Sequence, residues 1–190
     1  SDNIENLIID WRDDIFNDLQ NNIDSYKTQY ETVEDFKNFV DDELSLILSD
    51  NIKKEIFRDI EVNDKLQITP ILQSLYVKNF ESDKNNFMNL ARMGSLSFID
   101  QSWKNHLSEM DYLRSGIGLR AMGQRDPLVE YQKEGYDLFE DLIHSVKLSV
   151  VRLLLNFEKV SNENKNLDKD KNNKINADKK DKIGRNDPCY

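Results

Sequence analysis

The residues best suited to contact another molecule lie in one short turn between two long helical patterns. This turn contains two arginines, a methionine and a glutamine, namely Arg120, Met122, Gln124 and Arg125. Methionine is flexible and polarisable, so it can contact apolar side chains of varied shape. The turn is therefore a candidate contact surface, and an ordinary helix–helix loop is the alternative interpretation.

Residue types that carry out catalysis do not form a recognisable set in this sequence. It has no glycine-rich phosphate loop, no Walker-type lysine and no histidine pair at metal-binding spacing. We expect His106 and His144 to have surface or helix-packing roles. The single cysteine, Cys189, cannot complete a zinc site, which takes about four ligands. We predict no catalytic residue, metal site or cofactor site.

Two long amphipathic helices are predicted on either side of the turn, because apolar residues recur there every three or four positions. Each helix has roughly thirty residues, a length of about 45 Å at ~1.5 Å per residue. They should fold back on each other as an antiparallel hairpin. The residues before the turn are Leu96, Ile99, Trp103, Leu107, Met110, Leu113 and Ile117, and those after it are Leu128, Tyr131, Gly135, Leu138, Leu142, Val146, Val150, Leu153 and Phe157.

Three residues are predicted to have structural roles in this hairpin. Trp103 lies in the predicted apolar stripe of the first helix and should pack in the seam. Asp126 can cap the second helix through its side-chain oxygen. Pro127 fits the first helical position, where its missing N–H costs nothing.

The rest of the chain is also predicted to be helical, which makes the fold all-α. The first 24 residues form one helix, and a second begins with a capping box from Thr32 to Asp35. A third covers about residues 51–60. A fourth begins with Thr69 as the cap and Pro70 at the first position, and a break is expected near residue 84.

Composition and charge exclude several classes of protein. The 190 residues carry a formal net charge of -10, which makes bulk attraction to nucleic acid or anionic lipid unfavourable. No apolar run approaches the ~18–20 residues that span a bilayer.

Residues 161–182 are mostly Asn, Lys and Asp, so they cannot bury enough apolar surface to offset the entropy of ordering. We predict that this segment is disordered.

Three strings around the turn closely resemble the C-terminal region of the SecA family, the ATP-driven motor of the bacterial Sec preprotein translocase. They run from Phe98 to Leu107, from Met110 to Met122 and from Gln124 to Tyr136. The closing residues from Ile183 to Cys189 resemble the opening of that family's zinc-binding tail. Tyr190 follows where the family continues with further cysteines, so Cys189 is interpreted as a remnant of a zinc motif.

The resemblance implies an organisation of a small wing lobe, a long hairpin and a tail. Residues 1–24 would be the end of a scaffold helix, and 25–87 the helical wing domain. Residues 88–160 would be the two-helix finger of the helical scaffold domain. Residues 161–183 would be a disordered linker and 184–190 the start of a truncated zinc-binding tail.

The resemblance also implies a function in protein export. In this family the finger enters the cytoplasmic mouth of the SecYEG channel and contacts the unfolded preprotein through its tip. At the matching positions of this sequence, the resemblance implies that the contact residues are Arg120, Met122, Gln124 and Arg125. The family uses ATP and Mg, but the residues that bind them would lie in the rest of the SecA motor, so this segment alone is not expected to be an enzyme.

The implied location is cytoplasmic and peripheral, at the inner face of the bacterial cell membrane. An apolar strip left exposed along the hairpin would favour self-association. The alternative function is a stand-alone helical adaptor whose hairpin docks a partner helix without any enzymatic role.

Overall fold

The computed structural model describes residues 2–59, 65–120 and 126–157. Those ranges contain six α-helices and no strand, which confirms the all-α prediction; the helices are α1 (Asp2–Tyr26), α2 (Val33–Ser45), α3 (Asp50–Asp59), α4 (Thr69–Ser82), α5 (Lys84–Arg120) and α6 (Pro127–Leu155). No helix in them is long and apolar enough to cross a membrane. The chain divides into units 1–155 and 156–190, and the first is described below. The predicted linker (161–183) and tail (184–190) lie outside the described residues.

The first three helices form a small lobe whose local signals are correctly predicted by the sequence. Thr32 Oγ1 accepts a hydrogen bond from Asp35 N at 3.1 Å, and Thr32 N donates to Asp35 Oδ2 at 3.0 Å. This is the expected capping box. Lys53 of α3 is buried, and its Nζ donates to Asp41 Oδ2 at 2.9 Å and to Ser45 Oγ at 2.6 Å on α2. The partners offset the cost of burying the ammonium group and fix α3 against α2.

The start of α4 differs from the prediction. The N-cap is Ile68 rather than Thr69, and its side chain makes no capping hydrogen bond. Gln20 of α1 supplies the missing acceptor, since its Oε1 receives hydrogen bonds from Ile68 N at 2.7 Å and Thr69 N at 3.5 Å. The Thr69 hydroxyl donates instead to the Phe16 carbonyl at 3.4 Å. Pro70 lies in the first turn, and α4 ends at Ser82, which confirms the break near residue 84.

Helices α5 and α6 form the predicted antiparallel hairpin. Gly94 lies beside Leu153 at one end of the pair, and Gly135 lies beside Met110 towards the other. A Cβ added to Gly94 would overlap the Leu153 side chain, and one added to Gly135 would lie 3.1 Å from Met110 Cε. The two glycines therefore allow each helix to approach the other closely.

The predicted seam of α5 is wrong in its first half. Four residues of the predicted stripe are exposed: Leu96 (69%), Ile99 (42%), Trp103 (46%) and Leu107 (49%). The buried residues of α5 are Phe87, Ala91, His106 and Leu113. Gly94, which lies beside Leu153, shares the face of Phe87 and Ala91, and this face meets the rest of the protein while the regular apolar stripe is exposed. Trp103 therefore does not fill the hairpin seam.

The predicted seam of α6 is correct at Leu142, Val146 and Val150 in the second half of the helix. Within α6, the buried residues begin at Leu142 and continue to the end of the helix; they are Leu142, Val146, Val150, Val151, Leu154 and Leu155. Leu128, at the start of the predicted stripe, is 63% exposed. The difference arises because α1 and α4 pack against α6 near its end.

Two polar contacts from those neighbouring helices lie at the base of the hairpin, one buried and one exposed. The buried Asn79 of α4 donates its side-chain amide to the carbonyls of Leu154 at 3.0 Å and Leu155 at 2.8 Å. These are among the last carbonyls of α6, which lack donor partners inside the helix. Lys147 Nζ donates to Asp14 Oδ2 of α1 at 2.6 Å. Asn79 thus serves as a cap supplied from another helix.

We predict that Asn79→Ala destabilises the full chain by about 1–3 kcal/mol, because two buried carbonyls lose their donor. Urea unfolding followed by circular dichroism measures this change. Asn38 is exposed on α2, so Asn38→Ala is the control and should change stability by no more than about 0.5 kcal/mol. Equal stability of the two variants would show that Asn79 does not anchor α6.

Gly94 and Gly118 provide a matched test of the close approach within α5. Gly118 has no atom within 4 Å of an added Cβ, so Gly118→Ala should stabilise the chain by up to about 1 kcal/mol through helix propensity. Gly94→Ala gains the same helix propensity, but its added methyl group must displace the Leu153 side chain. We expect it to be less stable than Gly118→Ala in thermal unfolding. An equal gain at both positions would contradict tight packing at Gly94.

Candidate functional site at the free end of the hairpin

Of the four predicted contact residues, only Arg120 falls within the described ranges. Arg120 is the last residue of α5, although only its backbone is described. Met122, Gln124 and Arg125 lie outside the described residues. Their contact role therefore stays a prediction.

The N-terminus of α6 is capped by Asp126, as predicted. Asp126 Oδ1 accepts a hydrogen bond from Leu128 N at 2.9 Å, and Glu130 N donates to the Asp126 carbonyl at 3.1 Å. Pro127 is the first residue of α6. The aspartate satisfies an N–H group that the helix itself leaves without a partner, so the end of the turn is fixed locally.

A groove of about 610 Å³ runs along one flank of the hairpin near this end. Its apolar lining includes Tyr112, Leu113 and Leu138, and Tyr112 is 83% exposed. Carboxylates are the charged side chains in its lining: Glu109, Glu134, Asp137 and Asp141. Such a groove can receive an apolar side chain beside a cationic one, and it is unsuited to an acidic ligand.

The opposite flank carries an aromatic cluster around His106. The Trp103 and His106 rings lie 5.6 Å apart between centroids, and His106 and Phe139 lie 6.0 Å apart across the hairpin. His106 is buried, which confirms a helix-packing role, and its Nδ1 has no hydrogen-bond partner in the described part of the chain.

Near His106 on α6, Glu140 accepts a hydrogen bond from Tyr136 and raises the pKa of that phenol. Tyr136 is therefore a neutral donor.

His144 lies at the α1–α6 contact, away from the free end. Its Nδ1 is 3.9 Å from Asp18 Oδ2, and both side chains are more than half exposed. Across the described ranges, no group of His, Cys, Asp and Glu side chains is arranged to hold a metal ion. Cys189 lies outside those ranges.

Sequence reasoning misses two features, one at the base of the hairpin and one near its free end. Periodicity groups Asn79 with the apolar face of α4, although a single polar residue in an apolar stripe is a signal of a buried hydrogen bond. The acidic groove combines residues from both helices, such as Glu109 and Asp137, whose proximity depends on the hairpin register. Carboxylate spacing within either helix does not reveal it.

Comparison with known proteins gives matches to one family. The family model described as "SecA Wing and Scaffold domain" matches residues 1–158. The protein translocase subunit SecA of Rhodococcus opacus is 34% identical over 160 residues, which cover 81% of this chain and 15% of that relative. Its counterpart from Frankia casuarinae is 58% identical over 69 residues, covering 36% of this chain and 7% of the relative.

A third relative, the protein translocase subunit SecA 1 of Thermobifida fusca, is 46% identical over 78 residues. Those residues cover 41% of this chain and 8% of the relative. The chain thus spans a small part of the length of the relatives it matches. No solved structure matches it. Because the family match extends over both the small lobe and the hairpin, the chain belongs to the SecA wing and scaffold domain family.

Proposed function

We propose that this chain is the part of a SecA translocase that holds and presents a two-helix finger to a polypeptide. The free end, residues 120–126, contacts the unfolded preprotein and the cytoplasmic mouth of the SecYEG channel. The observation that carries the proposal is the uneven burial of α6. Its buried side chains lie between Leu142 and Leu155, whereas Leu128 and Val129 at its start are 63% and 57% exposed.

The hairpin is anchored at its base, which leaves its other end able to move. A helix pair held at one end by Asn79 and Lys147 can move its other end through a channel mouth as a rigid arm. The arm carries arginines at positions 120 and 125 and a methionine at 122, types that contact carbonyl oxygens and apolar side chains without demanding one sequence. A motor that moves many different polypeptides requires contacts of this tolerant kind.

The remaining parts of the proposed activity lie outside this chain. ATP and Mg would bind the rest of the SecA motor, and this chain would transmit movement without carrying out chemistry. We place the assembled protein in the cytoplasm, peripherally at the inner face of the bacterial cell membrane. The names of the relatives, protein translocase subunits, support the proposed role in translocation. The match along residues 1–158 favours it over a stand-alone adaptor.

We predict that reversing both tip arginines, Arg120→Glu with Arg125→Glu, slows preprotein transport by the full-length motor. The reversal places negative charge against carbonyl oxygens at the contact, while nucleotide binding should persist because no phosphate is bound there. Transport of a labelled preprotein into membrane vesicles measures the rate, and nucleotide affinity is measured in parallel.

The matched control reverses the same amount of charge away from the tip, at Arg92 near the base of α5 and Lys37 on α2. Both residues are exposed. We expect the control to transport at the unaltered rate. Equal rates for the tip variant, the control and the unaltered motor would overturn the assignment of the contact to the tip.

A further inference from the structure

Two buried amide side chains bond α4 to other helices, one at each end of α4. At its start, Gln20 Oε1 of α1 accepts a hydrogen bond from the backbone N–H of Ile68 at 2.7 Å. Near its end, the Asn79 amide donates to two carbonyls of α6. Gln20 and Asn79 are only 9% and 1% exposed, so water does not readily replace either contact. Helix α4 thus connects α1 to the end of α6.

Between these two contacts α4 packs as one continuous helix. Ile68 and Asn79 are about 17 Å apart along the axis at ~1.5 Å per residue. Leu72, Tyr76 and Asn79 are its buried residues, and their spacing places them on one face. The Arg12 guanidinium of α1 lies over the Tyr76 ring, 4.8 Å from its centroid. A helix that is packed along one face and bonded at both ends can carry a displacement from one end to the other.

The direct polar contacts between α1 and α6 are more exposed than this connection. Lys147 Nζ lies 2.6 Å from Asp14 Oδ2, and the Asp14 side chain is 55% exposed. His144 and Asp18 are 3.9 Å apart, and both side chains are more than half exposed. Exposed ion pairs contribute little to stability because water competes for both groups. The stronger polar connection from α1 to α6 therefore runs through α4.

We propose that Gln20 and Asn79 are positioning residues for transport, and that α4 transmits displacements of α1 to the base of the hairpin. The inference rests on the proposed function, in which α6 is one helix of the finger. A shift of α1 moves the start of α4 through Gln20, and Asn79 then moves the end of α6. Because α5 and α6 pack against each other, the free end of the hairpin moves with its base.

The two amide contacts require opposite chemistry, which separates their bonding role from simple space filling. Gln20 accepts at the N-terminus of α4, where the helix dipole favours negative charge, so Gln20→Glu keeps a suitable acceptor. Asn79 donates to carbonyls at the C-terminal end of α6, so Asn79→Asp would place a carboxylate against acceptors. The same amide-to-acid exchange should be tolerated at position 20 and disruptive at position 79.

Hydrogen exchange of the intact chain tests the connection without any transport assay. Gln20→Met keeps the length of the side chain but removes the acceptor. It should speed exchange of the α6 amides from Val150 to Leu155 about tenfold, as expected for a lost buried hydrogen bond. Gln20→Glu should restore the slow exchange. Combining Gln20→Met with Asn79→Ala should add nothing to Asn79→Ala alone, whereas the effects of independent sites would multiply.

Lys53→Met is the matched control, because it removes buried hydrogen bonds that join α3 to α2 and not to α4 or α6. It should leave exchange from Val150 to Leu155 unchanged. Unchanged protection of these amides in Gln20→Met overturns the proposal. So does an equal loss of protection in Lys53→Met, which would reflect general destabilisation.

The transport role is tested in the full-length motor by measuring the ATP hydrolysed per preprotein transported. Gln20→Met should raise this ratio at least about twofold, and Gln20→Glu should return it close to the unaltered value. If the tip reversal at Arg120 and Arg125 slows transport but Gln20→Met leaves the ratio unchanged, α4 does not transmit movement and only this inference is overturned. If neither variant alters transport, the proposed function is overturned with it.

Discussion

The end of α6 is held by a hydrogen-bond donor that comes from another helix. The Asn79 amide reaches the carbonyls of Leu154 and Leu155 in a buried site, where unpaired carbonyls would be costly. Helix α4, which carries Asn79, is itself held by Gln20 of α1 through the backbone N–H of Ile68. A chain of side-chain caps thus connects α1, α4 and α6. These contacts, together with the packing of α6 against α1 and α4, hold the base of the hairpin against the small lobe.

The same anchoring explains why the hairpin is uneven along its length. Near its base, α6 packs against α1, α4 and α5, and its apolar residues are buried. Towards the tip, each long helix packs mainly against the other, and aromatic side chains such as Tyr112 and Tyr136 remain exposed. A two-helix unit buries one stripe of each helix, so further apolar surface stays available for partners. The proposed preprotein contact, the acidic groove and the stripe on α5 all use surface left exposed in this way.

Local chemistry is predictable from the sequence, and contacts between distant segments are not. The caps at Thr32 and Asp126 use atoms within three residues of each other, so the sequence defines them completely. The cap of α4 depends on Gln20, which is far away in the sequence, and local patterns point to Thr69 instead. The α5 stripe is correctly predicted as one helix face, but periodicity does not say which face meets α6. The face that meets α6 includes Gly94, which lies beside Leu153 and which an apolar stripe does not reveal. The candidate contact residues at the tip come from the family resemblance, since residue types alone also fit an ordinary loop.

Residue-resolved hydrogen exchange of the intact chain tests most directly whether the hairpin is anchored at one end. The uneven burial predicts that amides from Val146 to Leu155 exchange at least about 100-fold more slowly than those from Val129 to Leu138, because opening the base requires breaking the packing with α1 and α4. Equal protection along the whole of α6 would contradict the account, since the hairpin would then open as one unit with no separately anchored base.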